Sequence, residues 1–242
     1  MIFRAKLVQG RLIRRYKRFL ADVQLEDGVV TAACPNTGSL LGCCEPGSRV
    51  WLSESDSATR KYRHTWEIVE VGKVMVGINT GLPNALVAEA IGAGAIAELA
   101  GYANVRREVA FGEERSRVDL VLEHPARQPC YVEVKNVTSI GASVGSTRKS
   151  GGVAFFPDCV STRGAKHLRE LMRLKAAGLR PVQVYCVQRG DVREVRPADG
   201  IDPDYGRTLR EAVAAGVEVL AYRAKVTPTE IALEERIPVV CP

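Results

Sequence analysis

The fold is decided by two short segments, RVDLVLEH at residues 117–124 and CYVEVKNVT at residues 130–138. Apolar and polar residues alternate in both, which is the two-residue period of a β-strand with two different faces. The five residues between them, PARQP, contain two prolines and are typical of a turn. We therefore predict that the two segments pair as a β-hairpin in the second half of the chain.

The charged residues of this hairpin predict a metal site. Glu133 and Lys135 are two residues apart, so on a strand both side chains lie on one face, roughly 7 Å apart. Pairing of the strands would bring Asp119 beside Glu133, and two close carboxylates repel each other unless a cation joins them. Mg²⁺ (or Mn²⁺) accepts one or two carboxylates together with water and phosphate oxygens. Asp119, Glu133 and Lys135 are thus the candidate catalytic residues, with the lysine orienting the attacking water or offsetting phosphate charge.

The alternative reading of this pattern is a Glu–Lys ion pair on an exposed sheet face, worth less than about 1 kcal/mol. A third acidic residue favours the metal site. Glu98 stands in the otherwise small and apolar segment AIGAGAIAELAGY, inside a stretch (residues 81–102) that we predict to be helical from Pro83 onward. A helix just before the hairpin could aim Glu98 at the same cation, so Glu98, Asp119 and Glu133 are the predicted metal ligands. The alternative for Glu98 is an ordinary exposed helix residue.

The rest of the chain predicts two domains. Residues 1–80 contain short alternating segments separated by Gly, Pro, Asn and Ser, typical of a small closed barrel. We expect an OB-like five-stranded barrel, with an SH3-like barrel as the alternative. Residues 81–242 are predicted to be α/β (α+β), a mixed sheet flanked by helices, with an amphipathic helix at 163–177. The Gly/Ser-rich segment 141–152 is predicted to be a mobile loop.

The basic residues predict an anionic partner. There are 34 Lys and Arg against 28 Asp and Glu, a formal net charge of +6, which favours such a partner only mildly. They are grouped with aromatic residues in RLIRRYKRF and RKYRHTW and along one face of RGAKHLREL, where cations could contact phosphates and rings could stack on bases. The alternatives are solvated strand edges and a solvated helix face. The candidate nucleic-acid contacts are Arg11, Arg14, Arg15, Lys17, Arg18, Arg60, Lys61, Arg63, Arg163, Lys166 and His167.

Other classes of site have little support in the sequence. The seven cysteines form no CxxC pair, so small buried thiols are a better interpretation than structural zinc. No Gly-rich phosphate loop, nucleophile elbow or metal-spaced His pair is present, which argues against a small-molecule enzyme. The N-terminus lacks the apolar core of a signal peptide, and no apolar run approaches the roughly 20 residues of a membrane span. These features predict a cytoplasmic protein that does not enter a membrane; a dimer is possible.

An acidic residue on a helix, then Asp, then Glu-x-Lys on consecutive strands resembles the PD-(D/E)xK nuclease superfamily. The resemblance implies that Glu98, Asp119 and Glu133 bind metal and that Lys135 is the catalytic lysine. Val118 stands where that superfamily usually has proline.

A second resemblance covers nearly the whole chain. Six segments in the same order are similar to the sugar fermentation stimulation protein family (SfsA): RLIRRYKRFLADV, CPNTGSLLGC, RKYRHTWE, FGEERSRVDL, CYVEVKNVT and FPDCVSTRGAKHLREL. The resemblance implies an OB-fold joined to a nuclease-like domain, non-specific DNA binding, and a role in regulating sugar (maltose) metabolism. Two functions stay open at this point. One is a metal-dependent DNA phosphodiesterase, and the other is a DNA-binding regulator without turnover.

Overall fold

The computed structural model describes residues 1–111, 116–140 and 152–242, without the side chains of Phe111 and Ser116. Apart from Gly152, the segment predicted to be a mobile loop lies outside the described residues. In the first part of the chain the alternating segments form six strands: β1 (Val8–Tyr16), β2 (Leu20–Leu25), β3 (Gly28–Ala33), β4 (Arg49–Glu54), β5 (His64–Val71) and β6 (Val74–Gly77).

The first five strands close into a barrel. Each is hydrogen-bonded to its neighbours in the order β3-β2-β1-β4-β5, and a parallel pairing of β3 with β5 joins the two ends. Strand β6 adds to the outer side of β5. Inward-facing residues fill the barrel, among them Leu12, Leu52 and Trp66, which are buried almost completely. This closed five-stranded arrangement confirms the OB-like prediction.

The second part of the chain is built on a mixed sheet. Its strands are β7 (Asn104–Phe111), β8 (Ser116–His124), β9 (Arg127–Val137), β10 (Val153–Phe156), β11 (Arg180–Val187), β12 (Glu194–Pro197), β13 (Glu218–Val226) and β14 (Ile231–Ile237). Six of them form one sheet in the order β14-β13-β11-β9-β8-β7, whereas β10 and β12 form a separate parallel pair. Strands β9, β11 and β13 are parallel, and the outer strands are antiparallel.

Helices cover both faces of this sheet, as predicted. They are α1 (Pro83–Gly92), α2 (Thr162–Ala176) and α3 (Pro203–Ala214), with a short 3₁₀ helix at Ala97–Leu99. Helix α1 packs on the face that carries Leu120, Val132 and Val134. Helices α2 and α3 pack together on the opposite face. The Ser161 side chain accepts a hydrogen bond from the Gly164 backbone N–H and caps the first turn of α2.

The structure differs from the sequence-based prediction in two respects. The helical stretch expected within 81–102 ends at Gly92, and Gly94 adopts a positive φ of 73°, which a continuing helix does not allow. Strands β7, β10, β12 and β14 carry no regular alternation and were not predicted. Three of them lie at a sheet edge or in the separate two-stranded pair, where one-sided burial no longer imposes a strict period.

The barrel and the second sheet are joined by backbone and buried polar contacts. The Gly77 N–H donates to the Gln188 carbonyl at 2.9 Å, and the Gln188 side chain donates to the Asn79 carbonyl at 3.3 Å. The buried Arg189 donates to the Thr138 carbonyl at 2.7 Å. These contacts set the barrel beside the ends of β9 and β11. Within the described residues no helix is long and apolar enough to cross a membrane.

Candidate metal centre and cleft

The β8–β9 hairpin forms the floor of the candidate site. Leu120 pairs with Val132, and continuing this antiparallel register sets Asp119 opposite Glu133. Because Val132 packs against α1, strand alternation directs the Glu133 and Lys135 side chains to the other face, toward α2. The structure therefore brings together the three residues that the sequence had singled out.

Both oxygens of Asp119 accept a hydrogen bond. Oδ2 accepts from the Val134 backbone N–H at 2.7 Å, and Oδ1 accepts from the Asn84 side chain at 2.9 Å. Burial raises the pKa of Asp119, the neighbouring Glu133 charge raises it further, and these hydrogen bonds offset the rise only partly. The ionised form of Asp119 is thus disfavoured here, which is the electrostatic condition that a bound cation relieves.

Glu133 is held in a network of basic groups. Its Oε1 accepts from Lys135 Nζ at 2.6 Å and contacts Nδ1 of His167 on α2. Arg163, one turn earlier, donates from Nε to His167 Nε2 at 3.2 Å, which leaves the ring proton on Nδ1, facing Glu133. Burial raises the pKa of Glu133, but the His167 hydrogen bond and the Lys135 charge outweigh it. The pKa therefore lies below its ordinary value of 4.5, and Glu133 stays ionised.

These side chains lie in a cleft of about 380 Å³ between the barrel and the second sheet. The barrel contributes residues 36–38, the loop after β3. The second domain contributes Asn84, the hairpin floor, residues 155–159 and the Arg163–His167 side of α2. The cleft thus has acidic groups at its floor, basic groups on one wall, and a wall that belongs to the other domain.

A divalent cation fits the donor set of this floor. No group of three or more His, Cys, Asp or Glu side chains in the described part of the chain is arranged to hold a metal. Asp119 and Glu133 would therefore supply two carboxylates, and water and phosphate oxygens would complete the coordination. Mg²⁺ commonly binds in this way, and hard oxygen donors also suit Mn²⁺ and Ca²⁺.

The prediction that Glu98 belongs to this site is wrong. Its Oε2 accepts from the Tyr222 hydroxyl at 2.6 Å, and its Oε1 pairs with Arg236 at 2.6 Å. Tyr222 packs in the same cluster as α1, so Glu98 lies on the face of the sheet opposite to Glu133. Burial raises the pKa of Glu98, but the Tyr222 and Arg236 contacts outweigh this effect and leave it lowered. Glu98 is a structural ion-pair residue.

Two polar residues of the site were missed from the sequence. Asn84, which was taken only as a turn residue at the start of α1, also donates to Glu108 Oε1 at 3.1 Å and so links Glu108 to Asp119. Glu108 has a positive φ of 52°, which is uncommon for a non-glycine residue, and interrupts the pairing of β7 with β8 opposite Asp119. The irregular sequence of β7 gave no signal for it.

Most of the predicted nucleic-acid contacts on the barrel are occupied by protein groups. Arg15 donates to the carbonyls of Asn36, Gly38 and Ser39 in the cleft loop and to that of Arg18. Its guanidinium therefore organises a loop and is not presented to solvent. This corrects the assignment of Arg15 as a phosphate contact.

The other barrel cations are exposed, and several have local partners. Arg14 pairs with Asp22, Arg63 with Glu54, Arg11 with the Gly47 carbonyl, and Arg60 with the Thr65 hydroxyl. Lys61 lies over the Tyr62 ring. Lys17 and Arg18 form the tip of the β1–β2 hairpin, both at positive φ, and Arg18 reaches the Thr37 carbonyl at the cleft.

The three candidates on α2 are placed differently. Arg163 and His167 line the cleft, whereas Lys166 is exposed and lies 3.9 Å from Glu170 on the same helix. His167 contacts Glu133 directly, so its first role is within the acidic floor. Arg163 is the basic residue of this helix that faces the cleft.

The cysteines match the prediction of free thiols. All seven lie in the described part of the chain and are unpaired, and four of them are buried. Burial raises the pKa of the Cys43 thiol to about 11 and that of Cys130 to about 12, so these thiols stay protonated and behave as small apolar side chains.

Comparison with known proteins accounts for both domains. Residues 13–78 match the SfsA N-terminal OB domain, and residues 81–230 match the sugar fermentation stimulation protein RE domain. A sugar fermentation stimulation protein homolog of Thioalkalivibrio sulfidiphilus is 59% identical over 235 residues, covering 97% of this chain and 95% of the relative. A homolog of Geobacter sulfurreducens is 58% identical over 241 residues, covering 99% of both chains.

A solved structure is also similar along its whole length. The structure of Pyrococcus furiosus SfsA in complex with Ca²⁺ superimposes with a TM-score of 0.86 at 27% sequence identity, covering 99% of this chain and 98% of that chain. The chain therefore belongs to the sugar fermentation stimulation protein (SfsA) family.

Proposed function

We propose that the protein binds DNA without sequence specificity and holds Mg²⁺ or Mn²⁺ at Asp119 and Glu133, in a site of the nuclease type. The observation that carries this proposal is the pair of buried carboxylates beside Lys135 at the floor of a cleft. A protein that only bound phosphate would have no use for two carboxylates facing its ligand, because they would repel it unless a cation were present.

The metal assignment has independent support. The similar P. furiosus protein is described as a complex with Ca²⁺, which is a hard, oxygen-seeking cation like Mg²⁺ and Mn²⁺. A bound divalent cation would polarise a phosphodiester and lower the pKa of an attacking water. Lys135 would then add positive charge next to the phosphate and orient that water. His167 and Arg163 keep the Glu133 carboxylate ionised and directed into the cleft.

The DNA assignment depends on the cations around the cleft. Arg163 lines one wall, and Arg18 lies at the edge of the barrel loop on the other side. Both are suited to phosphate oxygens, which every DNA sequence presents alike, so their contacts carry no base preference. We also propose that the protein acts in the cytoplasm and contributes to the regulation of sugar (maltose) metabolism, as the family resemblance implies.

A second candidate function is DNA binding without phosphodiester turnover. One observation favours it: Oε1 of Glu133 is already engaged by Lys135 and His167, which leaves fewer free lone pairs for a metal. In this case the site would bind DNA and regulate, without cutting.

Metal titration followed by a plasmid assay tests the proposal. In isothermal titration calorimetry with Mn²⁺, Asp119→Asn should weaken binding at least about tenfold, because one of two carboxylate ligands loses its charge. Asp27→Asn is the matched control, since Asp27 is exposed in the β2–β3 turn, at the end of β3 away from the cleft loop.

Supercoiled plasmid with Mg²⁺ or Mn²⁺ then separates the two candidates. Nicking by wild type and by Asp27→Asn, but not by Asp119→Asn, supports the enzyme. Metal-independent DNA binding without nicking supports the second candidate. If the protein bound no DNA even at low salt, both functions would be rejected.

A further inference from the structure

The barrel loop at residues 35–39 is held rigidly across the cleft from the acidic floor. From the barrel side, Arg15 donates to the carbonyls of Asn36 at 2.9 Å and of Gly38 at 2.7 Å. Arg18 donates to the Thr37 carbonyl at 2.8 Å. Two guanidinium groups thus bind successive carbonyls of one short loop, and charge-assisted hydrogen bonds of this kind are stronger than neutral ones.

The second domain holds the same loop from the other side. Asp158 Oδ2 accepts from the Ser39 hydroxyl at 3.1 Å and from the Leu40 N–H at 3.2 Å. The approach at Gly38 is so close that a Cβ built there would lie 2.5 Å from Asp158 Oδ2. The loop is therefore clamped between the domains and cannot withdraw from the cleft without breaking these contacts.

The space left between loop and floor suits a nucleotide. Its volume of about 380 Å³ lies near the lower end of the roughly 300–1,000 Å³ typical of small-molecule sites. Phe155 lines it: the neighbouring Ala154 and Phe156 pack into the core, so strand alternation directs the Phe155 ring to the cleft side. An aromatic ring beside a phosphate site is the arrangement on which an unpaired base stacks.

We infer that the cleft admits DNA as an unpaired strand, one nucleotide at a time, and excludes continuous duplex. This inference rests on the proposed function. The phosphate would lie over Asp119 and Glu133, and the base would lie against Phe155. A base pair carries a second strand, for which the clamped loop leaves no room, so duplex would have to open before it reached the carboxylates.

Fluorescence anisotropy with two labelled DNAs tests the inference: a 12-nucleotide single strand, and a duplex of the same sequence closed by hairpin loops at both ends. Ca²⁺ serves as the metal, and denaturing gels establish that the DNA stays intact. The wild type should bind the single strand at least about tenfold more tightly, the effect expected of about one stacked base. Equal affinity, or tighter duplex binding, would overturn the inference.

Loop and ring variants give the sharper test. Gly38→Ala forces the loop away from Asp158 and should reduce the single-strand preference at least about threefold, whereas Gly200→Ala, where a Cβ meets open space, should leave it unchanged. Ser39→Ala removes one hydroxyl contact and serves as a milder variant if Gly38→Ala unfolds on heating below the wild type. Phe155→Leu should weaken single-strand binding, and Phe155→Tyr should restore it.

The outcomes separate this inference from the function beneath it. If neither DNA binds, the proposed function fails and the inference fails with it. If both DNAs bind equally tightly, the DNA-binding function stands and the inference alone is rejected. An unchanged single-strand preference in both Gly38→Ala and Ser39→Ala would also reject it, because the loop would then not decide which DNA enters.

Discussion

The basic segment of β1 and the basic start of α2 contain the same residue types but use them differently. In β1, Arg14 is paired with Asp22 and Arg15 is spent on loop carbonyls, so little of this charge faces an outside ligand. In α2, Arg163 lies on the cleft wall beside the acidic floor. A basic run in a sequence therefore predicts a surface charge, and its function depends on which protein acceptors come within reach.

The largest expected effect is on stability, at Arg15. Arg15→Ala removes charge-assisted hydrogen bonds to several loop carbonyls, and we expect it to lower the free energy of unfolding by about 3 kcal/mol. Arg15→Lys should rescue little, since one ammonium cannot match the planar guanidinium. Urea denaturation monitored by tryptophan fluorescence measures this. A loss below about 0.5 kcal/mol would mean that the loop does not depend on Arg15.

The next effect is on DNA affinity, at Arg163. Arg163→Ala should weaken DNA binding about tenfold and reduce the slope of log affinity against log salt by about 0.9, the change for one lost phosphate contact. Stability should change by less than about 0.5 kcal/mol, because the side chain is exposed. Arg207→Ala, an exposed helix arginine on α3, is the matched control. Equal losses in the two variants would show that only net charge matters.

The smallest effect is expected at Arg14, and it depends on pH. The Arg14 hydrogen bond is the main cause that lowers the pKa of Asp22 below its ordinary 3.8, helped by Thr31 and Tyr16. A lowered folded-state pKa contributes stability above the unfolded value, and this contribution is lost as pH falls through the folded value. Arg14→Ala should therefore cost at most about 1 kcal/mol at pH 7, and the difference should fade below about pH 3.8. Melting curves at pH 7 and pH 3 measure it, and a difference that grew in acid would contradict this account.

Local patterns predicted the elements that are buried on one face. The hairpin of β8 and β9, the barrel strands and the helix α2 all have regular periods, because burial on one side imposes alternation in a strand and a stripe on a helix. Strands β7 and β14 lie at the edges of their sheet and carry weaker periods, so pairing with a neighbour is what makes them strands. Glu108 was missed together with β7 for this reason.

The sequence by itself determined that Glu133 and Lys135 share a face and that Asp119 can come beside them, because strand alternation is a property of a few consecutive residues. Only the tertiary structure decided that Glu98 lies across the sheet with Tyr222, and that the barrel loop closes over the carboxylates. Both outcomes depend on contacts between residues far apart in the chain. No local period specifies which face a distant side chain meets, and that choice is made when the two domains and the two sheet faces pack.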